Sequence, residues 1–113
     1  MATIYKICPA GLWQAATAAG VFAGSEVDRA DGYIHFSTAG QVAGTLEKHY
    51  AGVEGLVLAA FDEAALTPPI RYERARGMLF PHLYGSLDPK QALWVRSLPV
   101  DADGRHVLPE LEP

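Results

Sequence analysis

Two histidines occupy similar positions in the sequence, each inside a segment in which polar and apolar residues alternate. His35 lies within residues 33–37, and His82 lies within residues 79–84. Because side chains alternate between the two faces of a strand, each histidine is predicted to share its face with a tyrosine. An imidazole in such a setting can donate to a ligand hydroxyl or transfer a proton near neutral pH. The alternative is a pair of core histidines, each satisfied by a backbone carbonyl.

Ser37 and Thr38 follow the first of these histidines. Two residues along a strand span about 6.6 Å, so His35 is too far from Ser37 to activate its hydroxyl. Thr38, with Gln41 three residues later, is typical of a helix start, and a helix N-terminus can bind phosphate. Ser37 and Thr38 are therefore candidates for contacts with a sugar hydroxyl or a phosphate. They fit equally well as the residues that begin the helix.

Arg76 precedes Gly77 and the segment that carries His82. Its planar guanidinium could hold a phosphate near that histidine through paired hydrogen bonds. The alternative is an ordinary solvated surface on which neighbouring charges pair with one another, and it applies to Arg71, Glu73, Arg74 and Arg76. The charged residues Asp28, Arg29 and Asp31 have the same two interpretations, because they could orient the His35 segment or only form a turn.

The remaining histidines and the cysteine do not predict a metal site. His49 falls on the apolar stripe of its predicted helix and is interpreted as structural, and His106 lies in the C-terminal tail. Neither has a neighbouring ligand at the spacing that zinc sites use. Cys8 is the only cysteine. It is predicted to be a small buried strand residue in a reducing compartment.

Sequence patterning predicts one α+β domain over residues 1–113, with a core of about 3–100. The predicted strands cover 3–8, 33–37, 56–61, 70–73, 79–84 and 94–100, and the predicted helices begin near residues 12 and 38. Because only two helices of useful length separate the strands, the pattern argues against a doubly wound sheet. The apolar run 56–61 is predicted to be the central strand, and Trp13 is assigned to the core. Residues 21–30 are predicted to be a loop, and the polar tail 101–113 is expected to fray.

Composition restricts the partners that this domain could have. The net charge is −4 and the pI is near 5.4, which argues against binding of duplex nucleic acid. A small nucleotide can still bind through one or two local arginines or backbone N–H groups. The sequence shows no signal peptide and no membrane-spanning stretch, so a cytoplasmic location is predicted. The oligomeric state is left open.

Several of these segments together resemble the domain-of-unknown-function 952 family. The resemblance is carried by residues 28–38, 76–77 and 79–85, and it extends to 4–7, Trp13 and 45–49. It implies an ADP-ribosyltransferase-like split fold, in which small antiparallel or mixed sheets and two main helices surround a central NAD-binding cleft. Within that superfamily the sequence is most similar to the histidine-histidine-hydrophobic group, which includes the tRNA 2′-phosphotransferases.

The resemblance also implies roles for individual residues. His35 corresponds to the histidine that contacts the nicotinamide ribose, His82 to the second histidine of the motif, and Arg76 to a pyrophosphate ligand. Tyr33 and Tyr84 are expected to lie beside the nicotinamide ring. The expected function is an NAD- or ADP-ribose-binding domain that transfers a group at the anomeric carbon of the nicotinamide ribose. A late glutamate found in many ADP-ribosyltransferases has no clear counterpart here, which favours the alternative of a non-catalytic nucleotide-binding or regulatory module.

Overall fold

The structure, a computed structural model, describes residues 2–113 as two antiparallel sheets and three helices. The elements in chain order are β1 (Thr3–Pro9), α1 (Ala10–Ala19), α2 (Glu26–Asp31), β2 (Ile34–His35), β3 (Ser37–Thr38), α3 (Val42–His49), β4 (Leu56–Asp62), β5 (Arg71–Ala75), β6 (Met78–Leu83) and β7 (Trp94–Leu98). The first sheet has the strand order β3-β1-β4-β7, and the second has the order β2-β6-β5. The predicted α+β class is confirmed.

Strand β4 is central in the first sheet, as its continuous apolar run predicts. It pairs with β1 over its full length and with β7 on its other edge. Six of its seven residues are buried, because both faces of the strand are covered. Alternate residues therefore belong to two different clusters: Phe61 packs in one cluster and Leu58 in the other.

The two clusters lie on opposite faces of the first sheet. One contains Trp13 of α1 together with Ile34 and Leu83 of the second sheet, so the second sheet and α1 cover the same face. Trp13 is buried, as predicted. The other cluster contains Val42 and Leu46 of α3. Burial also raises the pKa of the Cys8 thiol to about 11, so the thiol remains protonated and packs as a small apolar group.

The chain passes from the second sheet to the first at a single residue, Phe36. His35 ends β2, which pairs with β6, whereas Ser37 begins β3, which pairs with β1. The backbone N–H of Phe36 donates to the carbonyl of Pro81 at 3.0 Å. Its ring is buried with its edge against Phe61, at a centroid distance of 5.9 Å. Phe36 thus anchors the place where the two sheets separate.

The stretch 21–30 was predicted to be a loop, and this is wrong, because it contains most of α2. Ser25 caps the helix and accepts from the backbone N–H of Asp28, whose carboxylate accepts in return from the N–H of Ser25. The helix ends at Gly32, whose φ of 87° is favourable only for glycine. The signal was a capping box with Asp in place of the usual Glu or Gln.

Two further boundaries differ from the expectations. Helix α3 begins at Val42, because Thr38 belongs to β3 and its N–H donates to the side chain of Gln41 at 3.0 Å. The C-terminal tail, expected to fray, packs on the second cluster through Leu108 and Leu111. None of the helices in residues 2–113 has the length and apolar character needed to cross a bilayer.

Candidate functional site

His35 and His82 are directly opposite each other in the β2 and β6 pair. Their ring centroids are 5.4 Å apart in an edge-to-face arrangement. The ring of Tyr33 stacks on His82 at 4.1 Å and lies 4.7 Å from the ring of His35. Tyr84 extends this aromatic group, with its ring 5.1 Å from Tyr33. One face of the second sheet therefore presents two imidazoles and two phenol rings together.

A cavity of about 500 Å³ opens beside this face. Its size is within the range of small-molecule sites. Five of the residues predicted from the sequence line it, namely Tyr33, His35, Ser37, Arg76 and His82. The other two predicted residues do not line it. Tyr84 packs against the ring of Tyr33, and Thr38 in β3 bonds to the side chain of Gln41. The cavity thus draws side chains from both sheets and from the hairpin between β5 and β6.

Asp28 is the buried centre of the hydrogen-bond network that holds His35. One carboxylate oxygen accepts from Nδ1 of His35 at 2.6 Å and from its backbone N–H at 3.1 Å. The other accepts from Nζ of Lys6 at 2.8 Å and from the N–H of Ser25 at 2.9 Å. Burial by itself raises the pKa of this carboxyl, but the His35 bond and the Lys6 charge outweigh it, so the pKa lies well below its usual range.

Lys6 is a buried cation on the central pair of strands. Only 4% of the residue is exposed, and its ammonium group also donates to the backbone carbonyl of His35 at 3.0 Å. A buried ammonium is tolerated only when it is paired, and Asp28 supplies that pair. Lys6 and Asp28 together therefore fix both the backbone and the ring of His35.

Asp31 engages the other side of the His35 ring. Its carboxylate lies 2.9 Å from Nε2, and its side chain is 46% exposed where the helix α2 ends. Both nitrogens of His35 thus face carboxylates of the same chain, an arrangement that the imidazolium form satisfies by donating on each side. A ligand that binds Nε2 must displace Asp31.

Glu73 holds His82 in a similar way. One of its carboxylate oxygens accepts from Nδ1 of His82 at 2.7 Å and from the hydroxyl of Tyr84 at 2.6 Å. The bond from Tyr84, followed by that from His82, lowers the pKa of Glu73, and the same bond raises the pKa of Tyr84. Nε2 of His82 is left as the ring nitrogen that a ligand in the cavity can meet.

Arg76 lies at the cavity rim in the hairpin between β5 and β6. It adopts a left-handed conformation with φ of 52°, which is uncommon for a residue with a side chain. Its guanidinium lies over the ring of Phe80 at 4.7 Å and contacts the imidazole of His49. His49 was predicted to be a structural residue of the helix stripe, but it is exposed at the rim. Partial desolvation of its ring at the rim, followed by the nearby charge of Arg76, lowers the pKa of His49.

The family of the chain follows from comparison with known sequences. The model of the family described as Protein of unknown function (DUF952) matches residues 7–95. The chain belongs to this family. The prediction of the domain-of-unknown-function 952 family is therefore confirmed, and the ADP-ribosyltransferase-like relationship stays a prediction. No curated protein matches the chain.

Solved structures of one bacterial protein are similar to this chain over almost its whole length. The crystal structure of protein CC0527 from Caulobacter crescentus is 40% identical, with a TM-score of 0.87, and 93% of each chain is covered. The solution NMR structure of CC0527 is 42% identical, with a TM-score of 0.83, and covers 93% of this chain and 91% of that chain. The two-sheet architecture is thus shared with an experimentally determined fold.

Four charged residues of this DUF952 site were not selected as site residues from the sequence: Lys6, Asp28, Asp31 and Glu73. Lys6 lies in an apolar strand, where an isolated lysine is usually interpreted as solvent-exposed. Asp28 and Asp31 fit turn chemistry equally well. Glu73 lies among arginines that suggest a salt-bridged surface. For Glu73 the sequence did contain a signal. Strand alternation places it on the same face as Arg71, and Arg71 is the residue opposite His82 on the neighbouring strand.

Proposed function

We propose that this DUF952 protein binds NAD or ADP-ribose in the cavity beside His35 and His82, and that it transfers a group at the anomeric carbon of the nicotinamide ribose. The observation that supports this most is the pairing of the two histidines across β2 and β6, each with Nδ1 on a carboxylate. Such second partners fix the orientation and tautomer of an imidazole. Both rings border a cavity of ligand size.

The distribution of charge around the cavity suits a molecule with a cationic and an anionic end. Asp31 and Glu73 bond to the histidines near the end of β6, beside the ring of Tyr33. The aromatic face of Tyr33, which lines the cavity, can stabilise a cation such as the nicotinamide ring. Arg76 lies before the start of β6, so a positive group is available at the other end for the pyrophosphate.

The proposed binding mode assigns one task to each residue. His35 binds the ribose hydroxyls, Tyr33 lies against the nicotinamide with Tyr84 behind it, and Arg76 with Ser37 binds the pyrophosphate. In the reaction the bond between nicotinamide and the anomeric carbon breaks, and nicotinamide leaves with the electron pair. The acceptor's lone pair forms the new bond at that carbon, and His82 takes the proton that the acceptor releases. The ligand contact predicted for Thr38 is not used in this binding mode and stays a prediction.

A non-catalytic ADP-ribose-binding module is the second candidate, and the His35 contacts favour it. Both ring nitrogens of His35 are held by carboxylates of the chain itself. That arrangement restricts His35 to recognition, so catalysis would depend on His82 without a second acid–base group beside it. Chromatography that follows the release of nicotinamide from NAD distinguishes the two candidate functions, because a non-catalytic binding module binds its ligand without releasing nicotinamide.

Calorimetry with NAD, ADP-ribose and nicotinamide tests the proposal as a whole. NAD and ADP-ribose are expected to bind, and Arg76→Ala is expected to weaken both more than it weakens nicotinamide. Arg105→Ala is a matched control, because Arg105 lies in the tail and is exposed. Absence of binding by all three compounds would contradict both candidate functions.

Asp31→Ala is expected to tighten ADP-ribose binding by about 1.5- to 5-fold. The wild-type ligand must displace the carboxylate from Nε2 of His35, and a partly exposed ion pair is worth about 0.2–1 kcal/mol. Glu26→Ala is the control, since it removes an exposed acidic residue at the other end of the same helix. If both variants change the dissociation constant equally, the change in net charge explains the result, and competition between Asp31 and the ligand for Nε2 of His35 is contradicted.

A further inference from the structure

We infer that Glu73 is a positioning residue that fixes His82 with its proton on Nδ1, so that the lone pair of Nε2 faces the cavity as the proton acceptor. The inference rests on the proposed function only for the step in which His82 receives a proton. The tautomer itself is a property of the unliganded chain. It assigns different chemistry to two histidines that are equivalent in their strand setting.

The strand register brings Glu73 to His82. In the β5 and β6 pair, Glu73 is opposite Phe80 and Arg71 is opposite His82. Glu73 is thus a diagonal neighbour of His82 on the same face of the sheet, within reach of a long side chain. The distance from Oε1 to Nδ1 is 2.7 Å.

The chemistry of the partner decides which nitrogen carries the proton. An ionised carboxylate can only accept hydrogen bonds, so a neutral His82 must donate from Nδ1. The same oxygen also accepts from Tyr84 at 2.6 Å, which holds the carboxylate in place. His82 is buried except where it lines the cavity. Its Nε2 therefore carries a free lone pair towards the cavity.

His35 cannot have this role in the same state. Asp28 and Asp31 lie on its two ring nitrogens, at 2.6 Å and 2.9 Å. The form that satisfies both carboxylates has a proton on each nitrogen and no lone pair to offer. Of the two facing histidines, His82 is the one set up to accept a proton, and the reason is that no carboxylate of residues 2–113 lies on its second nitrogen.

Long-range proton–nitrogen NMR spectra of the unliganded protein test the tautomer directly, at a pH where the His82 ring is neutral. The wild type is expected to show a protonated Nδ1 and an unprotonated Nε2. In Glu73→Ala the Nε2-protonated form is expected to become the major one. Glu73→Gln is expected to retain the wild-type tautomer, because its amide oxygen still accepts from Nδ1.

Glu63→Ala is the matched control, because Glu63 also accepts from a tyrosine hydroxyl, that of Tyr72, and bonds to none of the histidines in the described part of the chain. It is expected to leave the His82 signals unchanged. A wild-type His82 protonated at Nε2, or an unchanged tautomer in Glu73→Ala, would overturn the inference. These outcomes do not depend on any ligand.

Kinetics provide a second measurement that a merely structural residue would not affect. If nicotinamide is released from NAD, Glu73→Ala is expected to lower kcat with little change in KM, by up to the roughly 10²–10⁴-fold that a positioned base contributes. Glu73→Gln is expected to recover part of that loss. Failure of NAD to bind, together with the expected tautomers, would contradict the proposed function and leave the assignment of Glu73 supported.

Discussion

Asp28→Asn is expected to lower the free energy of unfolding by about 3–5 kcal/mol. The carboxylate is 2% exposed and is the partner of Lys6, which is also buried. The amide that replaces it is neutral, so the ammonium group would remain in the interior without a counter-charge. Removing one member of a buried pair is costly for this reason. Urea denaturation near neutral pH measures the loss.

Two comparison variants isolate the cause of this loss. Asp31→Asn changes a carboxylate that bonds the same histidine but is 46% exposed, and its cost is expected to be below about 1 kcal/mol. The double variant Lys6→Met with Asp28→Asn removes both charges and keeps an amide oxygen as acceptor for a backbone N–H, so it should be more stable than Asp28→Asn alone. If Asp28→Asn and Asp31→Asn cost the same, the Lys6 pair does not have the stabilising role described.

Acid should reveal the same interaction in the wild-type protein. The bonds to His35 and Lys6 outweigh burial and hold the pKa of Asp28 below its usual range. Because the folded-state pKa is depressed, its stabilising contribution is fully present above the ordinary value of about 3.9 and is lost as the pH falls from there towards the folded-state pKa. Asp28→Asn should lack this part of the acid dependence.

His35→Ala and Phe36→Ala are expected to have opposite effects on binding and on stability. His35→Ala should weaken NAD or ADP-ribose by about 10- to 100-fold, because a ligand group loses its partner, at about 1–3 kcal/mol. It should remain folded, although its lost bond to Asp28 costs stability as well. Phe36→Ala should cost about 3–5 kcal/mol of folding stability, because its buried ring packs on Phe61.

The measurement is a comparison of four values, namely melting temperature and ligand affinity for each variant. Any effect of Phe36→Ala on affinity should be indirect and small at temperatures where the protein is folded. The opposite pattern, in which His35→Ala unfolds the chain and Phe36→Ala is tolerated, would mean that the faces of this strand are assigned incorrectly. Unchanged affinity in a folded His35→Ala protein would contradict the proposed ligand contact.

The sequence predicted extended segments around both histidines and the face on which each histidine lies, but the single strand predicted over 33–37 is wrong, because the chain divides at Phe36 into β2 and β3 of different sheets. Alternation around His35 and His82 is a local property, and so is the apolar run that becomes β4. What local pattern could not give is the pairing of β2 with β6, which places the two histidines opposite each other. That register depends on how the strands are connected and on the packing of Phe36 between the sheets.

The charged partners were harder to predict, because their interactions are long-range. Lys6 and Asp28 are 22 positions apart in the sequence, and nothing near either residue indicates that both are buried. A lysine in a strand is usually solvated, and an aspartate between two predicted elements usually takes part in a turn. Glu73 was interpreted as part of a surface ion-pair cluster, whereas the sheet register directs it to His82.

The passage of the chain between the sheets at Phe36 has a consequence for the ligands that this DUF952 protein can accept. His35 and Ser37 both line the cavity and belong to different sheets. Since only one residue lies between them, covalent geometry limits the separation of their backbone positions to about 6.6 Å, even if the two sheets move apart elsewhere. The backbone therefore sets an upper limit on the width of the cavity between His35 and Ser37. Differences in ligand size must be accommodated at the rim, between Asp31 and Arg76, where the walls are not tied together by adjacent residues.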